Sequence, residues 1–289
     1  MKWFRIIATI LLVVLLASCT KDQSTQKNII AASAQLNVSY GDHPLQKMDI
    51  YLPANRSAAT TKVLILIHGG AWTTGDKDGL KSYIDSFKTR LPGYAIFNIN
   101  YRLSSKPNNV FPTQENDVKA ALDYIYSKSE ILLISDKYVL AGESAGAHLA
   151  MLQGFKQSLP VKPKVIASFS GPSDLIEMYN NPVVGNMLIS QALADAIGTT
   201  PGKDSLLYAT SSPVNFISTT SPPTIIFQGG IDPLVSTTQA LEVQKKLIDN
   251  GIINQYIFYP SAAHIGTWDN ATMFDAFNKL QAFITANVL

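Results

Sequence analysis

The stretch Lys137–Met151, Lys-Tyr-Val-Leu-Ala-Gly-Glu-Ser-Ala-Gly-Ala-His-Leu-Ala-Met, limits what this chain can fold into more than any other. Tyr138–Ala141 reads as a buried strand, Gly142-Glu143-Ser144-Ala145-Gly146 as a turn, and the residues after it as an Ala/Leu/Met helix. A serine flanked two residues away on each side by glycine, between an apolar strand and a helix, is the G-x-S-x-G nucleophile elbow. The turn is so tight that a Cβ at 142 or 146 is expected to clash. Ser144 is thereby pushed out at the C-terminal edge of its strand, at the end of a helix whose dipole favours developing negative charge. A glycine-rich turn with an incidental serine reads these five residues equally well, so the rest of the chain has to decide.

The chain opens with a different kind of segment. Lys2 and Arg5 precede an apolar run from Ile6 to Leu16, broken only by Thr9, and Leu16-Ala17-Ser18-Cys19 closes it. A bilayer span needs about 20 apolar residues, and this shorter run matches a secretory h-region. The Leu-Ala-Ser-Cys ending resembles a bacterial lipobox, which implies cleavage before Cys19 and a lipid on it. An ordinary cleaved signal or an N-terminal anchor are the alternatives. The expected organisation is a signal peptide over 1–18, a lipidated Cys19 with a polar tether to 33, and one catalytic domain over 34–289. The expected location is a membrane-anchored exported lipoprotein, at the periplasmic face or the cell surface.

Cys19 is the only cysteine, so no internal disulfide can brace the fold and the core must suffice. Loss of residues 1–18 leaves 289 − 18 = 271 residues, enough for one large core. It removes Lys2 and Arg5 from the 23 basic residues, leaving 21 against 21 acidic ones, so the formal +2 net charge of the whole chain resides in the leader. A neutral domain without a basic patch or an acidic tail gives no reason to expect a nucleic-acid or cationic partner.

From Leu36 the pattern is regular. Asn37–Tyr40 and Met48–Leu52, around a turn at Gly41-Asp42, read as an antiparallel edge pair. Val63–Ile67 is an uninterrupted apolar run of the kind buried on both faces of a parallel sheet. Strands at 95–100, 138–141, 165–170, 224–228 and 255–259 then alternate with helices at 80–91, 113–128, 238–250 and 271–288. This alternation predicts an α/β three-layer sandwich around a mostly parallel eight-stranded sheet. Residues 171–214 break the rhythm with an apolar, helical-looking stretch (Met178, Val183, Val184, Met187, Leu188, Ile189, Leu193, Ile197). It reads either as a small cap over a site or as an ordinary crossover packed on the sheet.

His68-Gly69-Gly70-Ala71-Trp72 directly follows the Val63–Ile67 strand. A glycine-rich loop there presents backbone N–H groups at the same sheet edge as Ser144, and the elbow takes its second oxyanion donor from such a loop. Four histidines compete for the role of base. His43 lies in the early hairpin, His68 is placed to brace the loop, and His148 sits one helical turn past Ser144 on a descending helix. His264, in the loop after the last strand, can approach Ser144 from above and is preferred. In this topology the acid lies between nucleophile and base. Asp232, just past the strand at 224–228, is favoured over Asp174, with Asp204 third.

Together these segments resemble the α/β-hydrolases of the carboxylesterase branch that includes bacterial feruloyl and acetyl-xylan esterases, hormone-sensitive-lipase-like esterases and kynurenine formamidases. The resemblance runs from about Leu36 to Val288. It is carried by Tyr40-Gly-Asp with Met48–Pro53, the His68–Trp72 loop, Asn100-Tyr-Arg-Leu103, Phe111-Pro112 with Asp117–Ala121, the Gly142–Gly146 elbow, Ser170–Leu175, Gly230–Val235 and His264. It implies an oxyanion hole made by the backbone of Gly70, Ala71 and Ala145, with Ala71 where a third glycine is commoner. It implies a Ser144–His264–Asp232 hydrolysis of short-acyl esters, with acetyl or feruloyl groups on carbohydrate as the best match, and no cofactor or metal. Export argues against the formamidase reaction, the missing gating domain against a peptidase, and the modest 171–214 segment against a true lipase. A non-catalytic binding module on the same fold is the alternative; such modules usually lose one of the three catalytic residues, and here all three are present.

Overall fold

The computed structural model describes residues 29–156 and 158–289. The expected signal peptide, Cys19 and the tether up to residue 28 lie outside the described residues. Ile30 and Ala31, at the end of that tether, are already tied to the domain: their carbonyls accept from Asn55 N–H (2.7 Å) and the Arg56 guanidinium (2.8 Å). Among the described residues no helix is long and apolar enough to cross a membrane.

Eight strands form one sheet: β1 (Ser33–Ser39), β2 (Lys47–Leu52), β3 (Lys62–Ile67), β4 (Tyr94–Ile99), β5 (Tyr138–Glu143), β6 (Val165–Phe169), β7 (Thr224–Gly229) and β8 (Asn254–Tyr259). Their spatial order is β1-β2-β4-β3-β5-β6-β7-β8. β2 pairs antiparallel with both β1 and β4, and every other pairing is parallel. The edge pair thus forms as its alternation predicts, though β1 starts earlier than expected and slips register between Gln35 and Val38. This is the α/β-hydrolase fold.

The helices are α1 (Lys81–Arg90), α2 (Thr113–Ser127), the single turn α3 (Ser129–Leu132), α4 (Ala145–Phe155), α5 (Leu175–Asn180), α6 (Met187–Ile197), α7 (Ser205–Thr210), α8 (Thr237–Asp249) and α9 (Asn270–Asn287). They divide between the two faces of the sheet because the continuous apolar strands still alternate their side chains. Val63, Ile65, Ile67 and Leu140 join the core shared with α2, α4 and α8. Leu64, Leu66, Val139 and Ala141 join the opposite core, closed by α1 and α9. Segment 171–214 belongs to the first core through Leu175, Met178, Leu193, Ile197 and Tyr208.

Candidate active site

The elbow stands where β5 ends and α4 begins. Ser144 takes φ 50°, ψ −120°, a conformation that costs a side-chain-bearing residue about 1–3 kcal/mol and persists only where its surroundings enforce it. Its N–H donates to Phe169 O of β6 (2.8 Å), and its carbonyl accepts the N–H of His148 (3.1 Å), the first bond of α4. The predicted clashes are borne out. A Cβ on Gly142 would sit 2.3 Å from the carbonyl carbon of Gly146, and one on Gly146 would sit 2.1 Å from Ile67 O. The near contact between the elbow and β3 is what sets Ser144 beside the loop that follows β3.

That loop carries three successive left-handed residues: Gly70 (φ 108°), Ala71 (φ 49°) and Trp72 (φ 61°). The alanine therefore adopts the conformation that a glycine would take without strain. The turn is closed by Thr73 and Thr74 N–H donating to Gly70 O (3.1 and 2.9 Å). His68 braces it as its position suggested. Its Nδ1 lies 2.7 Å from Gly69 O, and its ring stacks on Tyr101 (4.3 Å between centroids, 10° between planes). The Tyr101 hydroxyl donates to the carbonyls of His68 (3.0 Å) and Gly69 (3.2 Å), and burial lowers the basicity of His68. Among the described residues, the backbone N–H groups of Gly70, Ala71 and Ala145 donate to no protein acceptor. Unsatisfied donors beside an elbow serine are what an oxyanion hole requires.

Asp232 and His264 meet: Nδ1 of the imidazole is 2.8 Å from Asp232 Oδ2. The other carboxylate oxygen, Oδ1, accepts the N–H groups of Leu234 and Val235, each at 2.9 Å, and Gln228 Nε2 reaches Oδ2 at 3.3 Å. Burial works against the Asp232 charge. The His264 hydrogen bond and charge and those two N–H donors outweigh it, holding the carboxyl below the usual carboxylate range. The His264 loop is fastened to the elbow's neighbourhood by Ile265 N–H, which donates to Ser170 Oγ (3.3 Å), one residue beyond the Phe169 carbonyl that holds Ser144. Ser144 Oγ makes no hydrogen bond to His264. Bonds of this kind are often loose in a substrate-free site and tighten in the complex.

The competing residues have other work. Asp174 caps α5, its Oδ1 accepting Ile176 and Glu177 N–H (2.9 and 3.0 Å), and Asp204 caps α7 through Leu207 N–H (2.8 Å). His43 accepts Leu45 N–H within the early turn (3.2 Å). His148 is fully buried and bonded through both ring nitrogens, to Trp72 and to Ser211 O.

A cavity of about 250 Å³ opens beside Ser144 and Ala71. Met178, Leu188, Ile189 and Leu193 wall it from the 171–214 segment, and Leu234 and Val235 from the Asp232 loop. The segment is thus both a crossover packed in the core and a wall of the cavity. Ser144, Asn186 and the indole of Trp72 bring polar groups to this otherwise apolar lining. Glu143, the residue before the serine in the elbow, points to the other face of the sheet among Leu80, Phe87, Phe169 and Phe277. Burial there raises its carboxyl above the usual range, against a weak opposing contact from Gly69 N–H (3.5 Å). An acidic side chain beside a motif serine carries no sequence signal that separates this placement from a solvent-facing one.

An elbow serine, a loop of free N–H donors and a carboxylate–imidazole pair lie at one edge of this α/β-hydrolase sheet. The BD-FAE family model matches residues 48–247, and the chain belongs to that family. It is 30% identical over 223 residues to the "Probable carboxylic ester hydrolase LipM" of Mycobacterium tuberculosis, covering 71% of this chain and 49% of the relative. It is 33% identical over 136 residues to the kynurenine formamidase avaC of Aspergillus versicolor, covering 41% and 46%. Among solved structures it is similar to a truncated carbohydrate esterase from gut microbiota (TM-score 0.69, 24% identity, 86% of this chain and 96% of that one). The chain spans about half the length of the curated relatives it matches.

Proposed function

We propose that this protein hydrolyses carboxylic esters through an acyl-enzyme on Ser144. The observation that carries the reading is the 2.8 Å Asp232–His264 pair, whose His264 loop is bonded to Ser170, next to the Phe169 carbonyl that holds the elbow. His264 takes the proton of Ser144 Oγ as that oxygen attacks the ester carbonyl, and Asp232 orients the ring and stabilises its cation. The N–H groups of Gly70, Ala71 and Ala145 hold the oxyanion. His264 then returns the proton to the leaving alcohol, and water releases the acid by the same steps in reverse. The apolar cavity suits a short aliphatic or an aromatic acyl group, and the carbohydrate-esterase neighbour supports a sugar on the alcohol side. Similarity to a kynurenine formamidase supports a second reading, hydrolysis of an N-acyl amide by the same groups.

The test is turnover of p-nitrophenyl esters from acetate to octanoate, an acetylated and a feruloylated sugar, and an aryl formamide. Ser144→Ala is expected to lower kcat by at least about 10⁴-fold while the protein stays folded. Absence of ester and amide turnover by folded wild type would leave the binding-module reading in its place. We also propose that Cys19 carries a lipid, on the strength of Lys2, Arg5, Ile6–Leu16 and the Leu16–Cys19 ending. Expressed in a bacterial host, the full chain should fractionate with membranes and Cys19→Ala should not; equal partition of the two would refute the anchor.

A further inference from the structure

His148 has no part in the proton transfers above, yet it is the point where three pieces of the site are joined. It lies on α4 one turn beyond Ser144, and its backbone N–H bonds the Ser144 carbonyl (3.1 Å). Its Nδ1 accepts the indole N–H of Trp72 (3.2 Å), with the two rings edge to face at 5.1 Å and 84°. Because Nδ1 accepts, Nε2 carries the proton and donates to Ser211 O (2.7 Å), at the end of the segment that walls the cavity. Both side chains are buried, Trp72 at 3% exposure and His148 at 0%.

Trp72 directly follows Ala71, and both hold left-handed backbone conformations that side-chain-bearing residues avoid. Something must hold them there. The backbone is fixed from the β4 side by Ser104 N–H donating to Trp72 O (2.8 Å). From the nucleophile side, the indole–imidazole bond is the only side-chain hydrogen bond joining the loop to α4 among the described residues. Burial lowers His148 to about 4, so at neutral pH the ring is uncharged and Nδ1 remains an acceptor.

We propose that His148 is a positioning residue of the oxyanion hole: through Trp72 it fixes the Ala71 N–H relative to Ser144, so that the two halves of the hole are held by one buried imidazole. This rests on the hydrolase reading above. The hole acts on charge that exists only in the transition state, so loosening it lowers kcat and leaves ground-state binding largely intact. A histidine that only filled core volume would not separate kcat from KM in this way.

The experiment is steady-state hydrolysis of p-nitrophenyl butyrate by wild type, His148→Leu, His148→Asn, Trp72→Phe and the Trp72→Phe/His148→Leu double variant, each checked for folding by circular dichroism. Losing one hole donor in a serine hydrolase costs about 10²–10³-fold in kcat. A displaced donor should cost less: His148→Leu is expected to lower kcat about 30-fold with KM within about threefold of wild type. Asparagine offers an amide oxygen near the place of Nδ1 and should restore kcat to within about fivefold of wild type. The double variant should be no slower than the slower single one, because both break the same bond. The proposal is overturned by a folded His148→Leu with kcat within about twofold of wild type, by an asparagine variant as slow as leucine, or by losses that multiply in the double variant. Should His148→Leu not fold, Trp72→Phe alone decides: it removes the donor and keeps the histidine, and an unchanged kcat overturns the proposal. Wild type inert toward every ester would instead defeat the hydrolase reading, and this inference with it.

Discussion

Four histidines in one domain show how surroundings assign chemistry to a residue type. His264 is hydrogen-bonded to a carboxylate, whereas His148 and His68 are bonded to indole and carbonyl groups and burial lowers their basicity. This has a consequence for stability. Between an ordinary value near 6.5 and the folded value of about 4, the unfolded chain binds a proton at residue 148 that the folded protein refuses. Stability from this site is therefore complete above pH 6.5 and is lost as the pH falls toward 4. At pH 5 the loss amounts to about 2 kcal/mol. His68 adds to it with the same sign, and the raised carboxyl of Glu143 opposes it. Asp232, held below the usual range, gives its stabilisation up only under more acidic conditions still. Urea unfolding at pH 7 and pH 5 isolates the histidine: the wild type should lose about 2 kcal/mol more than His148→Asn between the two. Equal losses would show that position 148 does not couple to protons.

At the scale of elements, the strand–elbow–helix unit is determined by backbone contact rather than by side-chain packing. Gly146 faces Ile67 O and His68 O, at 2.1 and 2.5 Å from where its Cβ would stand. Backbone carbonyl groups at the end of a central strand cannot move aside as a flexible side chain would. Gly146→Ala should therefore destabilise the protein by more than about 3 kcal/mol, beyond the usual cost of core overpacking. Gly79→Ala is the matched control, since nothing lies within 4 Å of its Cβ position, and it should be neutral. Thermal melts of the two variants compare them directly, and similar Tm values would contradict this account of the elbow. The pairing of β3 with β5 sets the loop after one beside the elbow after the other.

Across the whole molecule, a buried polar knot joins the antiparallel edge to the parallel sheet. Lys77, 3% exposed, pairs at 3.1 Å with Asp49 of β2, which is 0% exposed. The backbone of Lys77 is gripped from β4 and its end: Asn98 Nδ2 donates to Lys77 O (2.7 Å) and Lys77 N–H donates to Asn100 Oδ1 (2.6 Å). Burial opposes the lysine charge, but the bonds to Asp49 and Asp78 outweigh it and raise its pKa. Removing one partner of such a pair strands the other charge in the interior. Lys77→Met should cost about 3–5 kcal/mol in denaturant unfolding, and a loss below about 1 kcal/mol would mean that Asp49 is relieved in some other way. Because this knot anchors the chain five residues after Trp72, the variant also tests how far the far end of that loop depends on the edge strands.

Local chemistry in the sequence determined the layered α/β order, the eight strands, the elbow and its two obligatory glycines, because each depends on the strand period of two or on backbone clearance within a few residues. The preference for Asp232 over Asp174 and Asp204 was legible only through chain order and loop position; the structure brings Asp232 Oδ2 within 2.8 Å of His264, while Asp174 and Asp204 each use an oxygen to cap a helix. Tertiary structure alone decided what depends on residues distant in sequence. It set the apolar wall from the 171–214 segment against Ser144, turned Glu143 to the opposite face of the sheet, and brought Trp72, His148 and Ser211 to one point. No spacing in the sequence encodes a hydrogen bond between residues 76 positions apart. Such a bond forms because β3 and β5 lie side by side in the sheet, and this adjacency is a property of the closed fold.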